Sequence, residues 1–203
     1  MKKSIALRQP TPLRVFELND TMAGSAGPLK FLKRHIEHEG FDGKVVTYPF
    51  DWGVLERGES VAVLIHDPVV DKIALVEQFR PAIKRTIFEL VAGTLAPGED
   101  PIACLKHEIF EEAALTVKLG QFQLISCVYL SPGGTSEKIW VYYTTVSGLG
   151  VDGALAGLVK EGECTKKHII PLDEALEMVK LGVICDAKTV LALLWLKNQQ
   201  MKK

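Results

Sequence analysis

The segment GTLAPGEDPIACLKHEIFEEAAL, residues 93–115, demands a helix that is apolar on one side and acidic along one edge, and few domain layouts can place such an element. Asp100 is a good N-cap, and Pro101 falls where a first-turn proline costs no hydrogen bond, so the helix is expected to start near residue 101. At roughly 100° per residue, Ile102, Leu105, Ile109 and Ala113 line one apolar stripe. Ala103, Phe110 and Ala114 extend it, and Lys106 alone interrupts it. A helix apolar over half its circumference packs into the body of a domain. Its acidic edge, Glu108, Glu111 and Glu112, is therefore expected to open on a cleft.

Like charges one turn apart destabilise a helix by a few tenths of a kcal/mol per pair, so three stacked carboxylates call for a cation. Mg²⁺ suits them, because it takes hard oxygen ligands and is commonly shared between protein carboxylates and substrate phosphates. An EIFEE run also fits a solvated acidic face paired with lysines, and the helix alone leaves both readings open.

The wider pattern resembles the Nudix box, the signature of hydrolases of nucleoside diphosphates linked to another moiety. It is carried by Gly93, Glu99, Glu108, Ile109, Glu111, Glu112 and Leu115. His107 stands where that family has an arginine that orients the acidic cluster, and histidine supplies no permanent bidentate charge. Ala114 replaces a glycine. LVEQFR (75–80), FELVAG leading into the box, SPGGTSE (131–137) and KEGE (160–163) are similar to the ADP-ribose pyrophosphatase branch, which includes other nucleoside diphosphate sugar hydrolases. The matches run from about Leu55 to Leu196.

The resemblance implies an α+β Nudix α/β/α sandwich with a mixed β-sheet between helices. It divides the chain into a subdomain at 1–54, a possible dimerisation element, and a hydrolase domain at 55–203. It implies that Glu108 and Glu112 are the principal Mg²⁺ ligands, with Glu111 shared between metal and catalysis, the Ala92 carbonyl contributing, and Mn²⁺ a substitute. The general base falls on the acidic loop, at Glu161 with Glu163 as backup; without the resemblance these are ordinary surface charges. Glu99 is expected to orient the box through hydrogen bonds. For substrate, Arg80 offers a forked contact to phosphate or ribose, Arg57 matches a position near the nucleotide, and Trp52 and Phe50 can stack a base or simply pack. Gly133, Gly134, Ser136 and Glu137 can meet the distal sugar or form an ordinary turn.

The expected reaction is Mg²⁺-dependent hydrolysis of the diphosphate of ADP-ribose or a related nucleoside diphosphate sugar, giving a nucleoside monophosphate and a sugar phosphate. The alternatives are the same cleavage of GDP-mannose, ADP-glucose or a dinucleotide, or a non-catalytic module that senses ADP-ribose.

Composition fits one enzyme of this kind. With 203 residues and 47% hydrophobic content the chain can bury a full core. A net charge of −1 offers no global basic field for nucleic acid, and no run is long enough to span a membrane. MKKSIALRQP lacks the apolar stretch of a signal peptide, so the cytoplasm is expected, and the resemblance implies a homodimer acting on a small molecule. Cys104, Cys127, Cys164 and Cys185 have no metal-ligand spacing, sit mostly among apolar neighbours and are expected to be buried reduced thiols. A basic amphipathic stretch (29–38) precedes strand-like KVVTYPF (44–50). A hairpin follows, VAVLI and KIALVEQF about Asp67-Pro68, and then β-rich runs at 86–91, 121–130 and 138–146. Two helices at 173–181 and 186–198 close the chain.

Overall fold

Asp20 and Arg34 face each other across two long neighbouring strands, and their bidentate pair, 2.7 Å for each contact, is the kind of cross-strand contact that fixes a hairpin register. In the computed structural model, which describes residues 9–26, 29–115, 119–158 and 162–202, these strands are β1 (Val15–Ala26) and β2 (Leu29–Glu39). The basic stretch at 29–38 is thus a strand. Short β3 (Val45–Thr47) and β4 (Trp52–Glu56) both pair with β2, completing a four-stranded antiparallel sheet. This sheet belongs to one of two compact units, which runs to Arg57 and includes Gly133–Ser136. The second unit comprises Gly58–Pro132 and the chain from Glu137 onward.

The second unit is built on an eight-stranded sheet. Its strands are β5 (Glu59–Asp67), β6 (Lys72–Arg80), β7 (Arg85–Glu89), β8 (Val91–Thr94), β9 (Gln123–Tyr129), β10 (Lys138–Thr145), β11 (Leu155–Ala156) and β12 (Thr165–Pro171). The main path is β11-β12-β6-β5-β10-β9, with β7 on β6 and β8 on β5. Only the pairing of β5 with β10 is parallel, so the sheet is mixed.

From Val61 onward β5 is buried without a break, and a strand hidden on both faces needs cover on both. Val61, Val63 and Ile65, with Ala74 and Val76 of β6, pack against α1 (Pro101–Ala113) through Cys104, Leu105, Ile109 and Ala113. Ala62 and Leu64, with Ile73 and Leu75, pack on the other side against α2 (Leu172–Lys180) and α3 (Ala187–Gln200), through Leu172, Ala175, Ala192, Leu193 and Leu196. Helix, sheet and helices form the three layers expected from sequence.

α1 begins as its signals require: Asp100 accepts from the backbone N–H groups of Ile102 and Ala103, and Pro101 occupies the first turn. Its outer face departs from expectation. Phe110 is 58% exposed, and Ala103 and Ala114 are exposed as well. A helix resting on a single sheet face buries one stripe only, and these three residues lie beyond it.

Candidate active site

The acidic edge of α1 is not a solvated surface. Glu112 is 4% exposed, and Glu108 and Glu111 are half-buried. Glu112 sits against β8, where its Oε2 accepts the Ala92 backbone N–H at 3.1 Å. Burial, reinforced by the charges of Glu108 and Glu163, pushes its carboxyl up to about 8, although the Ala92 bond and the Arg80 charge pull the other way. At neutral pH the metal-free site therefore holds a proton that a cation would displace.

Glu108 is fitted against β8 by the absence of a neighbouring side chain: a Cβ at Gly93 would overlap its carboxylate. The glycine that opens the motif thus makes room for the Glu108 carboxylate. On the helix surface, His107 Nδ1 lies 3.2 Å from Glu111 Oε2 one turn on, so the histidine does reach the cluster, through a single contact. Glu99 closes its own loop, accepting the Ala96 N–H at 2.9 Å while its N–H donates to the Ala96 carbonyl at 3.0 Å.

The far end of α1 anchors the acidic loop. Glu111 O accepts the Gly157 N–H at 2.8 Å, and Glu112 O accepts the Thr165 hydroxyl at 2.9 Å. Between these tethers lies Glu163, whose charge Glu112 senses. Glu161, the first candidate for the base, lies outside the described residues. Ala114, at the consensus glycine position, terminates α1 in the left-handed region (φ 48°, ψ 42°), which explains what a glycine would offer there.

Arg80 belongs to a network that the sequence did not reveal. Its Nε donates to Glu89 Oε2 at 2.5 Å, and Lys188 Nζ donates to Glu89 Oε1 at 2.6 Å and to Asp186 Oδ1 at 3.0 Å. Glu89 and Lys188 are almost fully buried. The Arg80 charge is felt by Glu112, so the cation stands near the carboxylate cluster. Gln78, two residues earlier on β6, is 8% exposed, and its side-chain carbonyl has no hydrogen-bond partner. In fit, the donor set suits a hard dication: oxygen ligands on one helix edge, a buried carboxylate in need of a positive partner, and an orphaned buried acceptor on the same sheet face.

The remaining sequence candidates, Glu137 excepted, lie in the first unit. Trp52 Nε1 donates to Gly133 O at 2.7 Å, and the Leu55 N–H donates to Gly134 O at 2.8 Å. The Arg57 N–H donates to Ser136 Oγ at 3.1 Å, and that hydroxyl donates to Glu56. Phe50 stacks on Trp52 with ring centroids 5.7 Å apart, and both rings are exposed. Glu137 lies in the second unit, near Ser60 Oγ at 3.4 Å. The first unit also places ligand atoms of Glu17, His35 and Glu37 within 4.8 Å of one another on its β1–β2 hairpin, the first exposed and the other two half-buried. Among the described residues none of the four cysteines is bonded to another, but against expectation only Cys104 is buried: Cys127 is half-buried, and Cys164 and Cys185 are exposed.

Residues 56–193 match the NUDIX domain family. The chain belongs to the Nudix family. Among curated Nudix-type relatives, the ADP-ribose pyrophosphatase of Escherichia coli (strain K12) is 33% identical over 165 residues, covering 79% of this chain and 77% of that protein. The GDP-mannose pyrophosphatases of Escherichia coli (strain SMS-3-5 / SECEC) and of Shigella boydii serotype 4 are each 31% identical over 166 residues, covering 79% of this chain and 83% of the relative. Gly93 through Leu115, the segment that resembles the Nudix box, falls within the matched residues, with its histidine in contact with Glu111 and its alanine at the helix end.

Proposed function

We propose that this Nudix pyrophosphatase hydrolyses the diphosphate bond of ADP-ribose or a related nucleoside diphosphate sugar with Mg²⁺, releasing a nucleoside monophosphate and a sugar phosphate. The observation that carries the reading is Glu112: a carboxyl buried beside Glu108 and Glu163, held above its ordinary range, on the helix that carries the Nudix box. Such a group is unfavourable in a resting protein and useful where a cation is to be gripped.

In this scheme Glu108 and Glu112 hold the ion with the Ala92 carbonyl, Glu111 supports them, and Mn²⁺ substitutes. Bound there, the dication neutralises diphosphate charge and acidifies water. Arg80, tethered through Nε to Glu89, offers its remaining guanidinium N–H groups to a phosphate oxygen. Glu161 or Glu163 takes the proton of the attacking water from the acidic loop. Trp52 and Phe50 stack the base, Arg57 lies beside the nucleotide, and Gly133, Gly134, Ser136 and Glu137 contact the distal sugar. The first 54 residues join two copies into a homodimer. Among the described residues no helix is long and apolar enough to cross a membrane, and we place the enzyme in the cytoplasm.

The second reading, the same cleavage of GDP-mannose, is favoured by relatives that carry that name. One assay ranks the two: incubation with Mg²⁺ and a panel of nucleoside diphosphate sugars, with monophosphate products separated by chromatography. AMP from ADP-ribose as the fastest product supports the first reading, and faster GMP release from GDP-mannose supports the second. Absence of monophosphate from every substrate contradicts both.

A further inference from the structure

A buried acceptor without a donor costs about 1–3 kcal/mol, and among the described residues only Gln78 Oε1 stands in that position. Its place in the sheet shows what could satisfy it. Along β6, Ile73 and Leu75 face α2 and α3, whereas Ala74 and Val76 face α1. Gln78 continues the second series and so looks toward α1, with Arg80 next on the same face. Directly across the β6–β12 ladder from Gln78 is Thr165, whose hydroxyl is bonded to the Glu112 carbonyl. The orphaned carbonyl therefore lies on the sheet floor under the turn of α1 that carries Glu112, beside Thr165 and Arg80. Two apolar residues flank it: Val76, two residues earlier on the same face of β6, and Ile87, its partner on β7. Nothing there explains why a polar side chain should be retained in place of leucine or methionine.

A dication held by Glu108 and Glu112 would bring the missing donor. Mg²⁺ sheds its hydration shell reluctantly and keeps several waters when bound, and those polarised waters are strong donors that need acceptors from the surrounding protein. We propose that Gln78 is a positioning residue whose carbonyl accepts a hydrogen bond from the hydration shell of the ion at Glu108 and Glu112, and so sets how tightly that ion is held. This rests on the metal assignment made above. It adds a contact outside the Nudix box, supplied by the sheet rather than by the helix.

The test needs no turnover. Mn²⁺ is titrated into the full-length chain without substrate, free ion is followed by electron paramagnetic resonance, and metal-free melting temperatures are recorded in parallel. Gln78→Met keeps the volume and removes the acceptor, so its Mn²⁺ dissociation constant is expected to rise about tenfold, within the range seen when supporting partners of metal ligands are lost. Its metal-free melting temperature should match or exceed the parent's, because an unsatisfied buried group has gone. Gln78→Glu keeps a carboxyl oxygen at the same reach and should bind within about threefold of the parent or more tightly. A Gln78→Met constant within about twofold of the parent overturns the inference, as does weakening that is accompanied by a lowered metal-free melting temperature, the signature of a packing role. Glu112→Gln serves as the control. If it loses Mn²⁺ while Gln78→Met does not, only the role of Gln78 fails; if it retains Mn²⁺, the metal assignment itself fails and the inference with it.

Discussion

Replacing Glu112 by glutamine should make the metal-free protein more stable while removing its activity. In the folded, metal-free chain burial holds this carboxyl neutral up to about 8, against an ordinary value of 4.5. A carboxyl with a raised value favours the folded state fully at pH below about 4.5 and loses that contribution as pH climbs toward 8, because the unfolded chain ionises first. Each pH unit in that window costs about 1.4 kcal/mol, so by pH 7 the parent has lost roughly 3 kcal/mol relative to pH 4.5. Glutamine carries no such penalty, and its side-chain carbonyl can still accept the Ala92 N–H. In EDTA at pH 7 the variant should therefore melt above the parent, by roughly 6–12 °C for a chain of this size. The gap should close toward pH 4.5. Added Mg²⁺ should raise the melting temperature of the parent and leave the variant nearly unmoved. Scanning fluorimetry across pH 4.5–8, with EDTA or Mg²⁺, measures all of this. A variant that melts below the parent at pH 7 in EDTA, or a gap that does not change with pH, refutes the reasoning.

Three further outcomes follow from single contacts. Ala114→Gly relieves a non-glycine residue held at φ 48° and should stabilise the chain by about 1 kcal/mol, read as a rise of about 2–4 °C in the melting midpoint. Gly93→Ala places a methyl group where the Glu108 carboxylate lies, and should cut both Mg²⁺ binding by calorimetry and turnover at least tenfold while circular dichroism stays that of the parent. Lys188→Met leaves buried Glu89 with Arg80 alone, and urea unfolding should show a loss of about 3 kcal/mol, the usual result of removing one partner of a buried pair.

The elements of this fold that declare themselves in sequence are those whose signals are local. The start of α1 could be placed near residue 101 because Asp100 and Pro101 punctuate it, and VAVLI was recognisable as a strand from its unbroken run of apolar, mostly β-branched residues. The hairpin of β1 and β2 was less visible. Lys30, Lys33 and Arg34 blur the alternation of β2, and what orders it, Arg34 on Asp20 and Arg14 on Glu39, joins positions far apart in the chain. The site divides in the same way. Glu108, Glu111 and Glu112 announce themselves by helical spacing, yet spacing cannot tell an exposed carboxylate from a buried one, and the burial of Glu112 depends on β8 meeting α1. Glu89 and Lys188 are 99 residues apart, and no pattern in the sequence links them. Gln78 lies within LVEQFR, but nothing in that segment signals its unpaired carbonyl, because an orphaned acceptor exists only once the sheet has closed around it.

The most direct test of the central claim is anomalous diffraction from crystals soaked in Mn²⁺ with a non-hydrolysable ADP-ribose analogue. The account expects a manganese peak about 2.1 Å from carboxylate oxygens of both Glu108 and Glu112, the distance of a hard octahedral cation from oxygen, with a phosphate oxygen completing its shell. A bound analogue with no metal between it and these two side chains would contradict it.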